Sequence, residues 1–196
     1  MEKENQNLNK IVTIVIAVIA VIIAVVGVVM HMKNDGTTVN PETGQKVENK
    51  ATKVEFGGYE YQIPAGVTAS VQGTKLFIYG PSNKWVACLL TQAGASYDQL
   101  LSVKDQIKTS LANQPQAKTE GYNLSNAVTE EKEYGGKKFL ITRDIATKTY
   151  NIDITYSAFE ENSVYVISVT KSNGDKMTDQ ERNAAYSIVA SAKKTA

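Results

Sequence analysis

The sequence predicts an α+β protein in which an N-terminal transmembrane helix precedes one antiparallel β-sheet domain flanked by helices. An uninterrupted apolar segment lies near the N-terminus, most of the remaining chain alternates apolar and polar residues with period two, and two segments carry helix caps followed by apolar stripes. The predicted order is β-β-β-β-α-β-β-β-β-α. Strands that follow one another with short turns pair antiparallel, and the helices are expected to cover one or both faces of the sheet.

The apolar segment Ile11–Met30 contains no charged residue, and Thr13 is its only polar side chain. A helix rises about 1.5 Å per residue, so a run of this length covers roughly the 30 Å hydrocarbon core of a bilayer. No A-x-A-like cleavage pattern follows it, and a lipoprotein signal would need a cysteine directly after the run, whereas Cys88 lies far downstream. These features favour an uncleaved signal anchor that holds the protein in the lipid bilayer.

The charges around this segment predict its orientation. Lys3 and Lys10 precede it, whereas Lys33 and the single histidine, His31, follow it. The small excess of lysine on the N-terminal side predicts a cytoplasmic N-terminus in the cell membrane, with a single pass. The predicted parts are a short cytoplasmic tail at 1–10, the transmembrane helix at 11–30, a flexible polar linker at 31–53 and an extracytoplasmic domain at 54–196.

Period-two patterns and short apolar runs predict eight strands in the domain. The clearest is 150–157, where apolar residues alternate with Asn151, Asp153, Thr155 and Ser157, as in a strand with one buried and one solvated face. Gly135-Gly136 predicts a hairpin turn. The predicted strands are 59–63, 67–71, 75–79, 84–91, 127–134, 137–144, 150–157 and 163–170.

Two helices are predicted from caps and apolar stripes. Ser96 is a suitable N-cap for the first helix. The second begins with a capping box, in which Thr178 and Glu181 can satisfy each other's backbone N–H groups. Lys193 and Lys194 are expected to complement the negative C-terminal end of this second helix. The first stripe comprises Leu100, Leu101, Lys104, Ile107 and Leu111, and the second comprises Ala184, Ala185, Ile188 and Val189.

Three segments have strand-and-turn patterns, namely Tyr59–Gly66, Tyr134–Lys137 and Val164–Val169. Together with the closing helix they resemble the Mog1/PsbP-like α/β/α sandwich superfamily, over roughly residues 54–194. The resemblance implies a sandwich fold and a non-enzymatic domain that binds protein partners or supports membrane-associated complexes. It carries over no functional residue, because the superfamily shares no site motif.

Composition argues against several classes of function. The net charge is +1 and the basic residues are scattered, which disfavours nucleic-acid binding. One histidine and one cysteine leave no Cys/His or Ser/His pair and no His/Cys metal cluster, so no cofactor or metal is predicted. Cys88 lies in an apolar, strand-like stretch and is expected to be an inert core residue.

A pair of carboxylates is the one catalytic arrangement that the residue inventory allows. Glu130, Glu131 and Glu133 lie near a predicted hairpin, and Asp144 and Asp153 lie on predicted strands. Acids on edge strands are commonly solvated. A carboxylate-based cell-envelope hydrolase nevertheless remains an alternative function.

The preferred function is that of a membrane-anchored, extracytoplasmic, non-catalytic binding or accessory domain with a protein or cell-envelope partner. A further alternative is an accessory subunit of a membrane protein complex, in which the transmembrane helix itself contacts the partner. The loops 79–84, 92–96 and 171–176 are the candidate partner-binding segments because of their position between predicted elements, and tyrosine and tryptophan in or beside a loop can supply rigid contact area. The candidate residues are Tyr79, Lys84, Trp85, Lys171 and Lys176.

Overall fold

The structure is a computed structural model that describes residues 51–93, 96–160 and 163–195. Within these residues no helix is both long enough and apolar enough to cross a membrane. The predicted transmembrane helix Ile11–Met30, the cytoplasmic tail before it and nearly all of the predicted linker lie outside the described residues. The first described strand begins at Thr52, so the last two residues of the predicted linker belong to the folded domain.

The described chain forms ten strands, four α-helices and one short 3-10 turn, at Pro81–Asn83. The helices are α1 (Tyr97–Ser102), α2 (Lys104–Ala112), α3 (Pro115–Glu120) and α4 (Asp179–Ala190). The strands are β1 (Thr52–Phe56), β2 (Tyr59–Ile63), β3 (Thr68–Gln72), β4 (Lys75–Tyr79), β5 (Trp85–Ala93), β6 (Val128–Tyr134), β7 (Lys137–Ala146), β8 (Asn151–Glu160), β9 (Ser163–Lys171) and β10 (Lys193–Lys194).

The strands form two antiparallel sheets where the sequence predicted one. The large sheet has seven strands in the order β3-β4-β5-β9-β8-β7-β6, and the small sheet has three in the order β1-β2-β10. The α+β class with antiparallel strands is therefore confirmed. The small sheet joins the first and last described strands to β2, a pairing between distant parts of the chain that local sequence patterns do not reveal.

The large sheet is buried on both faces, because different elements cover each one. Helices α1 and α2 pack on one face, where Leu100, Ile107 and Leu111 meet the central strands. Helix α4 and the small sheet pack on the other face, around Trp85 and Tyr186. Cys88 lies in the first of these cores, and burial raises the pKa of its thiol to about 12, so the thiol stays protonated at neutral pH.

The first predicted helix is divided into two. Ser96 caps α1 through a capping box with Gln99, whose side chain accepts from the Ser96 N–H while the Gln99 N–H donates to the serine hydroxyl. Val103 then leaves the helical conformation, at φ −114° and ψ 16°, and α2 starts after it. Leu100, Ile107 and Leu111 are buried as predicted, while Leu101 and Lys104 are partly exposed.

Strand β8 differs from the half-buried strand that its alternation predicted. Asp153, Thr155 and Ser157 are all buried, although every second residue on this strand is polar. The prediction of a solvated face was wrong because α4 packs over it and supplies polar partners. Thr155 shares a 2.7 Å hydrogen bond with the Tyr186 hydroxyl, and Asp153 accepts from Arg182.

Helix α4 has the predicted capping box of Thr178 and Glu181. Its buried face, however, includes Arg182 and Tyr186, and Ala184 is exposed rather than buried. The lysines predicted to complement its C-terminal end instead form β10, which pairs with β2.

Lys137 takes the position at the C-terminal end of α4. Its ammonium donates to the carbonyl oxygens of Ala190 at 2.6 Å and Ala192 at 2.5 Å, and it lies 5.0 Å from the centre of the Phe159 ring. Carbonyl groups at a helix end lack partners within the helix and carry partial negative charge. A lysine from β7 therefore ties the end of α4 to the sheet.

Replacing Lys137 with methionine should lower the free energy of unfolding by about 1–2 kcal/mol, because the two carbonyl groups lose a charged donor. The measurement is urea unfolding of the detergent-solubilised full chain, followed by circular dichroism. Lys138→Met is the matched control, since Lys138 is exposed on the same strand. Equal losses in the two variants would contradict the proposed role of Lys137.

Candidate functional site: a charged cleft beside helix α4

The five predicted partner-binding residues divide into buried aromatic and more accessible basic side chains. Tyr79 and Trp85 are buried in the two opposite cores of the large sheet. Lys84 and Lys176 are exposed, and Lys171 forms an ion pair with Glu181 at 3.3 Å. Of these five residues, only the three lysines are accessible to a partner, and the two aromatic side chains belong to the hydrophobic cores.

Two of the three predicted loops lie side by side. The N–H of Ser172 donates to the carbonyl oxygen of Lys84 at 3.0 Å, and the Ser172 hydroxyl donates to that of Asn83. Gly80 packs directly under the indole of Trp85, where an added Cβ would come within 2.2 Å of the ring. Of the third loop, 92–96, only Ser96 has a described side chain, and it caps α1.

A polar cleft of about 380 Å³ opens between α4 and the edge formed by β6 and β7. Its walls carry charged side chains of both signs, one aromatic ring and one aliphatic side chain. Strand β6, the last strand of the large sheet, contributes four residues to the cleft. The lining residues are Glu130, Lys132, Glu133, Tyr134, Ile141, Arg143, Asp179, Arg182 and Asn183.

Arg182 forms the floor of this cleft and links α4 to the sheet. Its Nε donates to Asp153 Oδ2 at 2.7 Å, and its Nη2 donates to Asp144 Oδ1 at 2.8 Å. Its Nη1 donates to Asp179 Oδ1 at 3.2 Å. Asp153 is only 2% exposed, whereas the Asp179 side chain is 90% exposed, so the guanidinium joins a buried carboxylate to a solvated one.

A bulge in β7 positions the second carboxylate. The register between β7 and β8 shifts between Thr142 and Ile145, and Asp144 adopts a left-handed conformation with φ 61°. Aspartate tolerates this region better than most residues, and bulges redirect side chains. The Asp144 N–H donates to Asp153 Oδ1 at 2.9 Å. The two aspartates that bind Arg182 are therefore also linked to each other.

Arg143 adds a second guanidinium to the cleft wall. Its Nε lies 2.9 Å from Glu130 Oε1 and its Nη1 lies 3.3 Å from Asp144 Oδ2. The Nε is buried, and its contact with Glu130 is a close ion pair without the alignment of a hydrogen bond. Asp144 thus bridges the two arginines, and Glu130 neutralises the outer one.

Burial governs the proton affinities of this network. It raises the pKa of Asp153 above the usual range of an aspartate, and the Arg182 guanidinium and the Asp144 N–H offset only part of that rise. Burial also opposes the charged form of Arg182, but the bonds to Asp153 and Asp144 outweigh it and raise the pKa of the guanidinium above its ordinary value. Arg182 therefore stays charged at neutral pH.

Five acidic residues were candidates for a carboxylate pair on the basis of the sequence. The structure brings some of them together and separates others. Glu130, Asp144 and Asp153 belong to the network around the two arginines. Glu131 instead pairs with Lys104 of α2 at 3.1 Å. In residues 51–93, 96–160 and 163–195 no three acidic, histidine or cysteine side chains are grouped as metal ligands.

Sequence reasoning missed Arg182, which organises the cleft. A signal for it was present, since Arg182 precedes Ala185, Tyr186 and Val189 by three, four and seven positions and so lies on the buried stripe of α4. A charged residue on such a stripe calls for a buried partner of opposite sign. Its partners could not be named, because they lie on β7 and β8, at a bulge that local patterns do not predict.

No protein-family model matches the chain, and no curated protein matches it. Among solved structures, it is similar to a crystal structure from Bacteroides thetaiotaomicron, with 11% identity and a TM-score of 0.48 over 76% of this chain and 50% of that one. The chain thus matches about half the length of that protein. It is also similar to the solution structure of cyanobacterial PsbP (CyanoP) from Synechocystis sp., with 10% identity and a TM-score of 0.46 over 78% of this chain and 96% of that one. The PsbP-like resemblance predicted from the sequence thus has a counterpart among these structures, and no function is taken from it.

Proposed function

We propose that this protein is a non-catalytic binding domain, tethered to the outer face of the cell membrane by Ile11–Met30, that holds a cationic group of a protein or cell-envelope partner in the cleft beside α4. The observation that carries the proposal is the way Arg182 engages the inner carboxylates Asp153 and Asp144, while Glu133 and Asp179 at the rim are exposed. The inner charges, on Arg182, Asp153 and Asp144, hold the walls of the cleft together. The acids at the rim can contact a partner.

Charge balance supports a cationic occupant. The lining itself carries Glu130, Glu133 and Asp179 against Lys132, Arg143 and Arg182, and Asp144 and Asp153 lie directly behind it. Acidic groups therefore outnumber basic ones around the cleft, which favours a positively charged side chain over an anion. The ring of Tyr134 also lines the wall, where it packs against Phe139 and Tyr186.

The same geometry supports binding over hydrolysis. A carboxylate that acts as acid, base or nucleophile must reach the substrate. Asp153 is 2% exposed and points at Arg182, and Asp144 bonds to both arginines. These two groups are therefore occupied in holding α4 on the sheet.

The anchoring part of the proposal rests on the apolar run Ile11–Met30 and on the lysines before it. Protease treatment of intact cells tests it. Digestion of the domain in intact cells is expected, because the domain would lie outside the membrane. Full protection, with digestion only after lysis, would contradict this orientation.

The cleft is tested by affinity capture of the full chain from detergent-solubilised membranes. The double variant Glu133→Gln/Asp179→Asn removes the two rim acids, and we expect it to lose at least one partner that the unchanged protein retains. Glu55→Gln/Asp105→Asn is the matched control, since Glu55 and Asp105 are exposed and Asp105 lies in the first turn of α2 as Asp179 does in α4. The same partners with all three proteins would rule out the cleft as the contact site.

Replacing Ile11–Met30 with an unrelated membrane anchor distinguishes two functions. In one, the cleft beside α4 binds the partner; in the other, the protein is a subunit of a membrane complex and its transmembrane helix contacts the partner. Retained partners are expected if the cleft makes the contact. Loss of all partners in that variant, with the cleft unchanged, would favour the helix as the partner surface.

A further inference from the structure

The two edges of the large sheet differ in charge. Edge strand β6 carries four consecutive charged residues, Glu130 to Glu133. Edge strand β3, Thr68–Gln72, has the sequence TASVQ and carries none. Proteins commonly protect sheet edges with charges, because an open edge is a template for pairing with another strand. Strand β3 lacks that protection.

Within residues 51–93, 96–160 and 163–195, β3 pairs with a strand on one side only. It pairs with β4 from Thr68↔Tyr79 to Gln72↔Lys75, and it is the terminal strand of the sheet. The neighbouring strand β1 pairs with β2 alone. Backbone groups of alternate residues in an antiparallel strand point to opposite sides, so about half of those on β3 face away from β4. In the described part of the chain no backbone hydrogen bond joins that side to another strand.

An exposed apolar side chain lies on the same edge. Val71 is 37% exposed, one of two large apolar residues exposed to this degree among the described residues, and the other is Val128 at 43% on β6. Val128 lies next to a charged run, whereas the residues around Val71 on β3 are uncharged. Ala69 projects to the same face as Val71, because side chains two positions apart share a face of the sheet.

We infer that β3 is a self-association edge, at which a second copy of this chain pairs antiparallel with it. A two-fold axis at Ser70 aligns the whole strand with itself and sets Ala69 opposite Val71 of the second copy. No like charges meet in this register, and each valine gains an apolar neighbour across the strands. The same operation on β6 would place Glu131 opposite itself, which is unfavourable.

The dimer is expected to be weak in solution and stronger in a membrane. Two five-residue strands bury less surface than the roughly 1,200–2,000 Å² of a stable interface. Attachment of both copies to one membrane raises their effective concentration. This last step rests on the proposed tether, whereas the pairing itself does not.

Crosslinking of cysteine variants tests the register in the full chain. Ala69→Cys and Val71→Cys, mixed in equal amounts in detergent and oxidised, should form a disulfide-linked dimer, because opposed residues lie about 4.5–5.5 Å apart between Cα atoms, within the range of a disulfide. Each variant alone should crosslink at least fivefold less, since its cysteine lies diagonally from its own copy. Cys88 does not compete, because it is buried. Equal crosslinking in the mixture and the single variants, or none in any sample, would overturn the inference.

Sedimentation of the full chain in detergent supplies a second readout. Val71→Lys places a charge at the edge and should shift the protein towards monomer at concentrations where the unchanged chain dimerises, while Val128→Lys on β6 should not. Association that is unchanged by Val71→Lys, or lost in Val128→Lys alone, would overturn the inference. If the chain dimerises in detergent but protease outside intact cells does not digest the domain, the proposed orientation of the membrane anchor is contradicted. The pairing of β3 with a second copy is still supported in that case.

Discussion

Replacing Arg182 with methionine should cost about 3–5 kcal/mol of folding free energy, because Asp153 would then remain buried without its partner. Asp153 is 2% exposed and receives two bonds from this guanidinium, through Nε at 2.7 Å and Nη2 at 3.4 Å. Among the described residues, its one further donor is the Asp144 N–H at 2.9 Å. Urea unfolding of the detergent-solubilised full chain, followed by circular dichroism, measures the loss.

The double variant Arg182→Met/Asp153→Leu is the control for this prediction. Removal of both charges together is often neutral, because the loss in the single variant comes mainly from the stranded carboxylate. We therefore expect the double variant to recover most of the lost stability. A double variant as unstable as the single one would mean that Arg182 acts through packing and not through its charge.

The folding free energy lost in Arg182→Met should also depend on pH. A buried carboxyl has a raised pKa, so the folded state binds its proton more tightly than the unfolded state does, and stability contributed by that group rises as the pH falls through the folded pKa. Without Arg182, Asp153 has no guanidinium to offset its burial. The difference between variant and unchanged protein should shrink as the pH is lowered from about 7 to about 5. A difference that grows over this range would contradict the assignment.

Replacing Trp85 with alanine should cost about 3–5 kcal/mol, as expected for deletion of a large buried ring that leaves a cavity. Trp85 is 2% exposed and begins β5, where it pairs with Lys171 and packs over Gly80. The chain has a single tryptophan, so unfolding is followed by circular dichroism and not by its fluorescence.

Two controls separate a core role for Trp85 from a partner-binding role. Lys84→Ala changes the exposed residue directly before it and should alter stability by less than about 0.5 kcal/mol. Trp85→Phe keeps a ring in the core and should lose less than Trp85→Ala. Full stability of Trp85→Ala with loss of a captured partner would contradict the buried position and support the predicted binding role.

Local patterns were sufficient to predict most of the domain's elements. The strands on either side of Gly73, the hairpin turn at Gly135-Gly136, the N-cap Ser96 and the capping box of Thr178 and Glu181 occur where the sequence predicted them. These features depend on residues within a few positions of one another, so their chemistry is visible in a short window. The division of the first helix at Val103 was not predicted, because the apolar stripe continues across it.

The candidate site was harder to predict. Glu130, Asp144 and Asp153 were among the candidates for a carboxylate pair, but the residue that joins the inner two, Arg182, lies on a helix far along the chain. The alternation in β8 led to the expectation of a solvated face for Asp153. Alternation shows which residues share a face, but it does not show what covers that face.

The sequence alone determined most of the local elements of this protein, since caps, turns and period-two alternation depend on neighbouring residues. It also supports the prediction of a membrane anchor at Ile11–Met30, because a bilayer selects for the length and apolarity of a single segment. Only the tertiary structure decided that there are two sheets, that α4 turns a polar face of β8 into core, and that β3 is an uncharged edge. These features depend on contacts between distant segments, whose packing determines the partner of each polar group.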